Sequence, residues 1–290
     1  MHHRQIGRGS QAVQVGAIGL GEMPLSVGGR PGDAQGVRTI HAALDAGMTF
    51  IDTADAYSLS GADVGHGERL IAQALATYRG DTTSILVATK GGHTRTADGS
   101  WGMNGRPKYL KQAAEASLKA LGVEAIGLYQ YHRPDPRVPY ADSIGALREL
   151  LDEGKIRLAG ISNANVTQIA LADRILGGRL ASVQNQFAPN FRSSEGELEY
   201  TREHGIAFLP WSPMGGIGRA DGIERRYPQF ATIGHERGVS AQQITLAWML
   251  AKGVNVIPIP GSSRPETAQA SAAAADIALT ADEVARLDAS

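Results

Sequence analysis

Four side chains that can move or stabilise protons occupy the first half of the chain. Tyr57 follows Asp52 by five residues, and Lys90 and His132 each follow a later apolar segment. A lysine beside a carboxylate stays charged, and its charge lowers the pKa of a neighbouring phenol. Such a tyrosine can protonate a developing alkoxide, while a histidine can orient the carbonyl oxygen. The set predicts acid chemistry at a carbonyl, with Tyr57 as the acid, Asp52 holding Lys90, and a Tyr57 pKa below its usual value.

These four residues protonate an oxygen but bring neither electrons nor a nucleophile. A hydride donor would complete the reaction, which predicts a nicotinamide dinucleotide as cofactor. Two other functions remain open at this point. A strand-end lysine such as Lys90 can form an imine, which is typical of a Schiff-base lyase. A protein that binds the dinucleotide and regulates a partner is the other hypothesis.

Eight short β-rich segments alternate with amphipathic segments and would position these residues. The predicted strands cover residues 17–20, 49–52, 84–89, 126–131, 158–161, 182–185, 206–210 and 254–257. Repeated alternation of this kind predicts parallel strands joined by right-handed crossovers, and eight units favour an α/β fold closed into a (β/α)8 TIM barrel. The carboxyl ends of the strands would then form one rim, which is where such barrels carry their chemistry.

The segments between the strands show helical periodicity and helix-end signals. Helices that contain Leu110 and Ile144 are expected to end before Gly122 and Gly154. Capping boxes are predicted at Ser194 with Glu197, Ser240 with Gln243, Ser263 with Glu266, and Thr280 with Glu283. Alternating apolar residues within 5–15 predict a short N-terminal β-hairpin that caps the barrel bottom. Residues 1–290 are expected to form a single domain.

Composition excludes several classes of function. The net charge of −1 gives no field for nucleic acid, and no apolar run is long enough to predict a membrane span. The chain has no cysteine, so thiolate catalysis and cysteine-ligated zinc are excluded, and no metal site is expected. We expect a cytoplasmic enzyme whose partner is a small-molecule carbonyl substrate. The sequence carries no signal for an oligomeric state.

Motifs spread over most of the chain resemble the aldo-keto reductase superfamily. They are FIDTADAY at 50–57, GE at 67–68, ATK at 88–90, YQYHRPD at 129–135, GISN at 160–163, VQNQ at 183–186, WSPM at 211–214 and IPGSSR at 259–264. They occur in the order and spacing of that family, from about residue 16 to residue 271. The resemblance implies a (β/α)8 barrel that binds a nicotinamide dinucleotide without a Rossmann motif. Gly21 is accordingly followed by Glu22 and Met23, with no third glycine of a G-x-G-x-x-G motif.

Carried over by position, the resemblance makes Asp52, Tyr57, Lys90 and His132 the catalytic tetrad. The cofactor-binding positions it implies are Gly21, Met23, Asp52, Ser162, Asn163, Gln184, Trp211, Ser212, Met214, Gly216, Gly261, Ser262, Ser263, Arg264 and Gln269. Within this set, Ser162, Asn163 and Gln184 would hold the carboxamide. Trp211 would stack on the nicotinamide ring.

The remaining implied contacts concern the phosphates. Ser212 and Met214 match positions near the pyrophosphate, and residues 261–264 match the 2′-phosphate loop. Arg264 can bind a phosphate bidentately, which favours NADPH (NADP+) and makes NADH the less expected cofactor. The following helix often carries Glu-Glu-Asn in the family, whereas this chain has Gln269-Ala270-Ser271. Trp101 and Tyr131 are further candidates for the lining of a substrate pocket.

Overall fold

A curved parallel sheet forms the centre of the molecule in the computed structural model, which describes residues 1–216 and 218–290. The strands are β1 (His3–Ile6), β2 (Val13–Gly16), β3 (Leu20–Gly21), β4 (Phe50–Asp52), β5 (Leu86–Gly91), β6 (His93–Arg95), β7 (Trp101–Met103), β8 (Ile126–Tyr131), β9 (Ile156–Ser162), β10 (Leu180–Gln184) and β11 (Ala207–Phe208). Seven of them form the sheet in the order β11-β10-β9-β8-β5-β4-β3. Every neighbouring pair in it is parallel.

The eighth barrel position is filled by an irregular segment. Val256 forms a parallel bridge with Phe208, and Gly261 forms one with Gly21. The carbonyls of Pro258 and Pro260 accept hydrogen bonds, each of 2.9 Å, from the backbone N–H groups of residues 19 and 21. Proline has no N–H to donate, so this segment cannot make a continuous ladder. It nevertheless joins the two edge strands, and the predicted (β/α)8 barrel is confirmed.

The predicted N-terminal hairpin is confirmed and plugs the barrel. Strands β1 and β2 pair antiparallel, with Ile6 opposite Val13. Ile6 and Val15 are fully buried and belong to one apolar cluster with Leu86, at the amino end of β5, and Ile257. Their contact with strand beginnings places the hairpin at the barrel bottom. The opposite rim is thereby left as the open one.

Helices cover the outside of the barrel. They are α1 (Asp33–Asp45), α2 (His66–Thr77), α3 (Pro107–Leu121), α4 (Tyr140–Asp152), α5 (Val166–Ile175), α6 (Glu195–Glu203), α7 (Ile223–Arg226), α8 (Pro228–Arg237), α9 (Ala241–Ala251), α10 (Pro265–Ala273) and α11 (Ala281–Asp288). Gly122 and Gly154 follow α3 and α4 with φ of 68° and 72°, as the sequence predicts. None of the helices described is both long and apolar enough to cross a membrane.

Two of the four predicted capping boxes are correct. Ser240 and Thr280 each accept a hydrogen bond from the backbone of the residue three positions later. Ser194 precedes α6 but makes no side-chain cap. The prediction for Ser263 is wrong, because Pro265 takes the first helical position and moves the N-cap to Arg264.

Candidate active site

The predicted site residues meet at the carboxyl ends of the strands. Asp52 ends β4, Lys90 is the second-to-last residue of β5, and His132 follows β8 directly. A cleft of about 520 Å³ opens at this rim, and Asp52, Tyr57 and His132 line it. Its size is typical of small-molecule sites. Lys90 is fully buried beneath these residues and acts on the cleft through its contacts with Asp52 and Tyr57.

Lys90 connects the acidic and phenolic parts of the site. Its Nζ donates hydrogen bonds to Asp52 Oδ2 at 2.7 Å, to the Thr53 carbonyl at 2.8 Å and to the Tyr57 hydroxyl at 3.3 Å. These three contacts use all three ammonium protons. Burial lowers the pKa of Lys90, but Asp52 and Tyr57 together raise it by more than burial lowers it. The pKa of Lys90 therefore lies above its ordinary value. The lysine is therefore a charged ammonium.

The prediction that the pKa of Tyr57 lies below its ordinary value is wrong. Burial raises the pKa of Tyr57 above its ordinary value, and the Lys90 ammonium offsets only part of this rise. The negative charge of Asp52 adds to the increase, and so does that of Glu22 when Glu22 is ionised. The carboxylates near Lys90 thus cancel part of the lowering that its positive charge causes in the pKa of Tyr57. Tyr57 consequently keeps its proton at neutral pH.

His132 is a neutral, nearly buried imidazole. Burial lowers its pKa well below the ordinary value, and Lys90 and Arg133 lower it further by their charges. Its ring meets the Tyr57 ring edge-on, with centroids 5.7 Å apart. Its Nδ1 is buried and finds no hydrogen-bond partner within residues 1–216 and 218–290. A neutral imidazole can donate one hydrogen bond to a carbonyl oxygen in this cleft.

Two glutamines hold the second oxygen of the Asp52 carboxylate. Asp52 Oδ1 accepts hydrogen bonds from Gln184 Nε2 at 2.8 Å and from Gln130 Nε2 at 3.1 Å. Gln130 is fully buried and was not predicted as a site residue. A possible signal was its position two residues before His132, since alternate residues of a strand share a face. Asp52 thus has partners at both oxygens, which fixes the direction in which it holds Lys90.

Nearly all the predicted cofactor residues line the same cleft. They are Gly21, Met23, Asp52, Ser162, Asn163, Gln184, Trp211, Ser212, Met214, Gly216, Gly261, Ser262, Ser263 and Arg264. The exception is Gln269, which is exposed on α10 and outside the lining. Thr267, two residues earlier on the same helix, lines the cleft instead. The cofactor role of Gln269 stays a prediction.

The cleft wall has features of a surface built for a polar ligand. Among the described non-glycine residues, positive φ occurs at Asn163 (58°) and Ser212 (52°), both predicted cofactor positions. Strained backbone of this kind concentrates at functional sites. Trp211 Nε1 and Ser262 Oγ are buried and lack a partner within the part of the chain described. Such groups are normally satisfied, so a ligand that completes them fits this wall.

An inserted hairpin forms the other side of the cleft. Strands β6 and β7 pair antiparallel and bring Trp101 to the rim, where it lines the cleft with 42% of its surface exposed. His93 stacks on Trp101 with the ring centroids 4.5 Å apart, and the Arg95 guanidinium carbon lies 4.0 Å from the centroid of the Trp101 ring.

Tyr131 is not part of the lining, although the sequence suggested it. It is buried, and its hydroxyl accepts a hydrogen bond from the Asp135 backbone N–H.

Comparison with known proteins places the chain in a family. The model of the aldo/keto reductase family matches residues 17–290. The chain therefore belongs to the aldo/keto reductase family and is an oxidoreductase. It is 34% identical over 280 residues to an uncharacterized oxidoreductase of Schizosaccharomyces pombe, covering 94% of this chain and 86% of that protein. It is 33% identical over 275 residues to a 6-dehydroglucose reductase of Novosphingobium aromaticivorans, covering 90% and 86%.

Solved structures share the fold across the whole chain. A thermostable aldo-keto reductase crystallised with the inhibitor epalrestat has a TM-score of 0.84 and 27% identity, covering 100% of this chain and 99% of that one. An aldo-keto reductase from Klebsiella pneumoniae in complex with NADPH has a TM-score of 0.79 and 26% identity, covering 99% and 94%.

Within residues 1–216 and 218–290, no cluster of three or more potential metal ligands occurs.

Proposed function

We propose that the protein reduces the carbonyl group of a small aldehyde or ketone to an alcohol, with NADPH as hydride donor. The observation that carries this proposal is the buried Lys90 ammonium, hydrogen-bonded to both Asp52 and Tyr57 at the cleft. The family supports a carbonyl reaction, one relative is a 6-dehydroglucose reductase, and one structural neighbour binds NADPH.

The cleft residues divide into regions that suit the parts of the dinucleotide. Ser162, Asn163 and Gln184 would hold the carboxamide, and Trp211 would take the nicotinamide ring. Ser212 and Met214 would lie near the pyrophosphate. Residues 261–264 would receive the 2′-phosphate, for which Arg264 would supply the positive charge. When bound, the dinucleotide supplies the hydride that the side chains of this site lack.

Tyr57 is the proton donor in this proposal. Its O–H bond breaks as a new O–H bond forms on the carbonyl oxygen, and the tyrosinate left behind is stabilised by Lys90. His132 donates a hydrogen bond to the same oxygen and orients it. The raised pKa of Tyr57 keeps the proton in place until negative charge develops on the substrate. Asp52 keeps the ammonium directed at the phenol.

The contacts of Lys90 argue against imine chemistry. An imine forms from a neutral, accessible amine. Lys90 is fully buried, uses its three protons in hydrogen bonds, and has a raised pKa that keeps it protonated. A Schiff-base lyase therefore needs a different lysine environment from the one in this cleft.

The test follows NADPH oxidation by absorbance across a panel of aldehydes and ketones, with NADH in parallel. We expect oxidation that depends on the carbonyl compound and yields one alcohol per NADPH. NADPH binding without turnover on any compound would instead favour a nucleotide sensor. Borohydride trapping of a substrate on Lys90 would favour the lyase.

A further inference from the structure

Glu22 is a buried acid next to the site that the proposed chemistry does not use. It follows β3 directly, is fully buried, and lies outside the cleft lining. Its backbone N–H donates to the Asp52 carbonyl at 2.9 Å. Both carboxyl oxygens are paired: Oε1 with the Ser26 hydroxyl, and Oε2 with Thr53 Oγ1 at 2.8 Å. Burying an acid is costly, and a buried acid beside a site is a candidate for a functional role.

A chain of hydrogen bonds leads from Glu22 to the protein surface. Ser26 Oγ contacts Glu22 on one side and lies 2.8 Å from His66 Nδ1 on the other. His66 Nε2 lies 3.3 Å from Asp33 Oδ1, and the Asp33 side chain is 61% exposed. The backbone of Gly67 packs directly on the carboxyl group and leaves no room there for a side chain. The route to solvent therefore runs through Ser26 and His66.

These hydrogen bonds are consistent with two states that differ by one proton. With Glu22 protonated, its O–H donates to Ser26, Ser26 donates to His66 Nδ1, and the imidazole donates from Nε2 to Asp33. With Glu22 ionised, Ser26 donates to Glu22, and the imidazole donates from Nδ1 to Ser26. The second state forms from the first when the Glu22 proton passes to Ser26, the Ser26 proton passes to His66 Nδ1, and the Nε2 proton leaves to solvent at Asp33. Every donor keeps an acceptor in both states.

Thr53 connects Glu22 to the predicted acid. Its hydroxyl donates to Glu22, while its carbonyl accepts from Lys90 Nζ at 2.8 Å. The charged or titratable groups that face Glu22 are Lys90, Asp52 and Tyr57 on the site side, and His66 with Asp33 behind it on the solvent side. An ionised Glu22 adds negative charge near Lys90 and raises the pKa of Tyr57.

We propose that Glu22 is a positioning residue for the carbonyl chemistry: it exchanges a proton with solvent through Ser26 and His66, and its charge controls how readily Tyr57 releases its proton. The inference rests on the proposed function. Burial raises the pKa of Glu22 to about 8, so the change of charge falls just above neutral pH. Below that pH the neutral carboxyl leaves the field of Lys90 unopposed. Above it the carboxylate opposes that field, and reduction slows.

The experiment measures the pH dependence of kcat/KM for carbonyl reduction in the wild type, Glu22→Gln and Ser26→Ala. The wild type should lose several-fold in kcat/KM across a midpoint near pH 8. Glu22→Gln should lack this decline, because its amide does not titrate. Ser26→Ala interrupts the route and removes a hydrogen bond that lowers the pKa of Glu22, so after equilibration at each pH the midpoint should lie at higher pH. This second variant keeps the carboxyl group and tests the proposal if Glu22→Gln folds poorly.

Glu68→Gln is the matched control. Glu68 is also a buried glutamate with a raised pKa, but it accepts its hydrogen bond from Thr89 Oγ1, at 2.6 Å, and lies beside Asp55. Its variant should keep the wild-type midpoint. Infrared difference spectra of the cofactor-free protein give a second readout: a protonated carboxyl band that titrates near pH 8 should be absent in Glu22→Gln.

The outcomes separate the two proposals. No turnover at any pH would refute the proposed function. Turnover with a midpoint that Glu22→Gln leaves in place, or a carboxyl band that survives in that variant, would refute only the role of Glu22.

Discussion

The Lys90 Nζ atom lies 3.3 Å from the Tyr57 hydroxyl oxygen, with no residue between them. The same atom is 4.9 Å from the centre of the Tyr57 ring. The lysine charge therefore acts on the phenol directly, in a buried setting where electrostatic interactions are strong. Because Tyr57 keeps its proton in the resting protein, this charge gains importance when the proton leaves and a tyrosinate forms.

Replacing Lys90 with Met should remove most turnover. The tyrosinate loses its stabilising charge, so we expect kcat to fall by roughly 100-fold or more. Asp52 is left buried without its cation, and loss of one partner of a buried pair costs about 3–5 kcal/mol of stability. Steady-state kinetics and denaturant unfolding measure the two effects. Lys90→Met with unchanged kcat and pH dependence would contradict the pairing of Lys90 with Tyr57.

Replacing Arg264 with Ala should separate the two nicotinamide dinucleotides. Arg264 is exposed at the cleft, and hydrogen bonds to a charged group contribute about 1.5–3 kcal/mol, so NADPH binding should weaken by roughly 10-fold to 100-fold. NADH, which has no 2′-phosphate, should bind as before. Arg133→Ala is the control, because Arg133 is also an arginine of the cleft lining but follows His132 and is not part of residues 261–264. Equal losses for both dinucleotides would count against the phosphate role.

Replacing Trp101 with Ala should affect the carbonyl substrate and spare the cofactor. The half-exposed ring offers an apolar surface at the cleft, and its loss should raise KM for bulky carbonyl compounds several-fold with little change in kcat. NADPH affinity should stay unchanged. Leu59→Ala is a suitable comparison, since Leu59 is similarly exposed but outside the cleft lining. A selective loss of NADPH affinity in Trp101→Ala would place this side chain in the cofactor site instead.

The rim of the site was predictable because strand order fixes it. Parallel strands bring their carboxyl ends together, so Asp52, Lys90 and His132 had to converge once the strands were recognised. The eighth strand was predicted at 254–257, yet it closes the barrel as an irregular segment extending to Gly261, because two prolines interrupt its ladder.

Features that depend on burial could not be predicted from the sequence. The direction of the Tyr57 pKa shift depends on how deeply the phenol is buried and on the carboxylates around it, and residue spacing gives neither. Gln130 lies between two tyrosines in an apolar strand, where a glutamine gives little sign of a role. Glu22 follows Gly21 after the strand predicted at 17–20, and only the folded structure brings it to Thr53 and, through Ser26, to His66.

The most direct test of the central claim compares Tyr57→Phe with the wild type. It measures carbonyl-dependent NADPH oxidation, and NADPH affinity by the quenching of tryptophan fluorescence. The phenylalanine keeps the ring and its packing but has no proton to give, so we predict a loss of turnover of roughly 100-fold or more with unchanged NADPH affinity. Full turnover in Tyr57→Phe would contradict the assignment of Tyr57 as the acid.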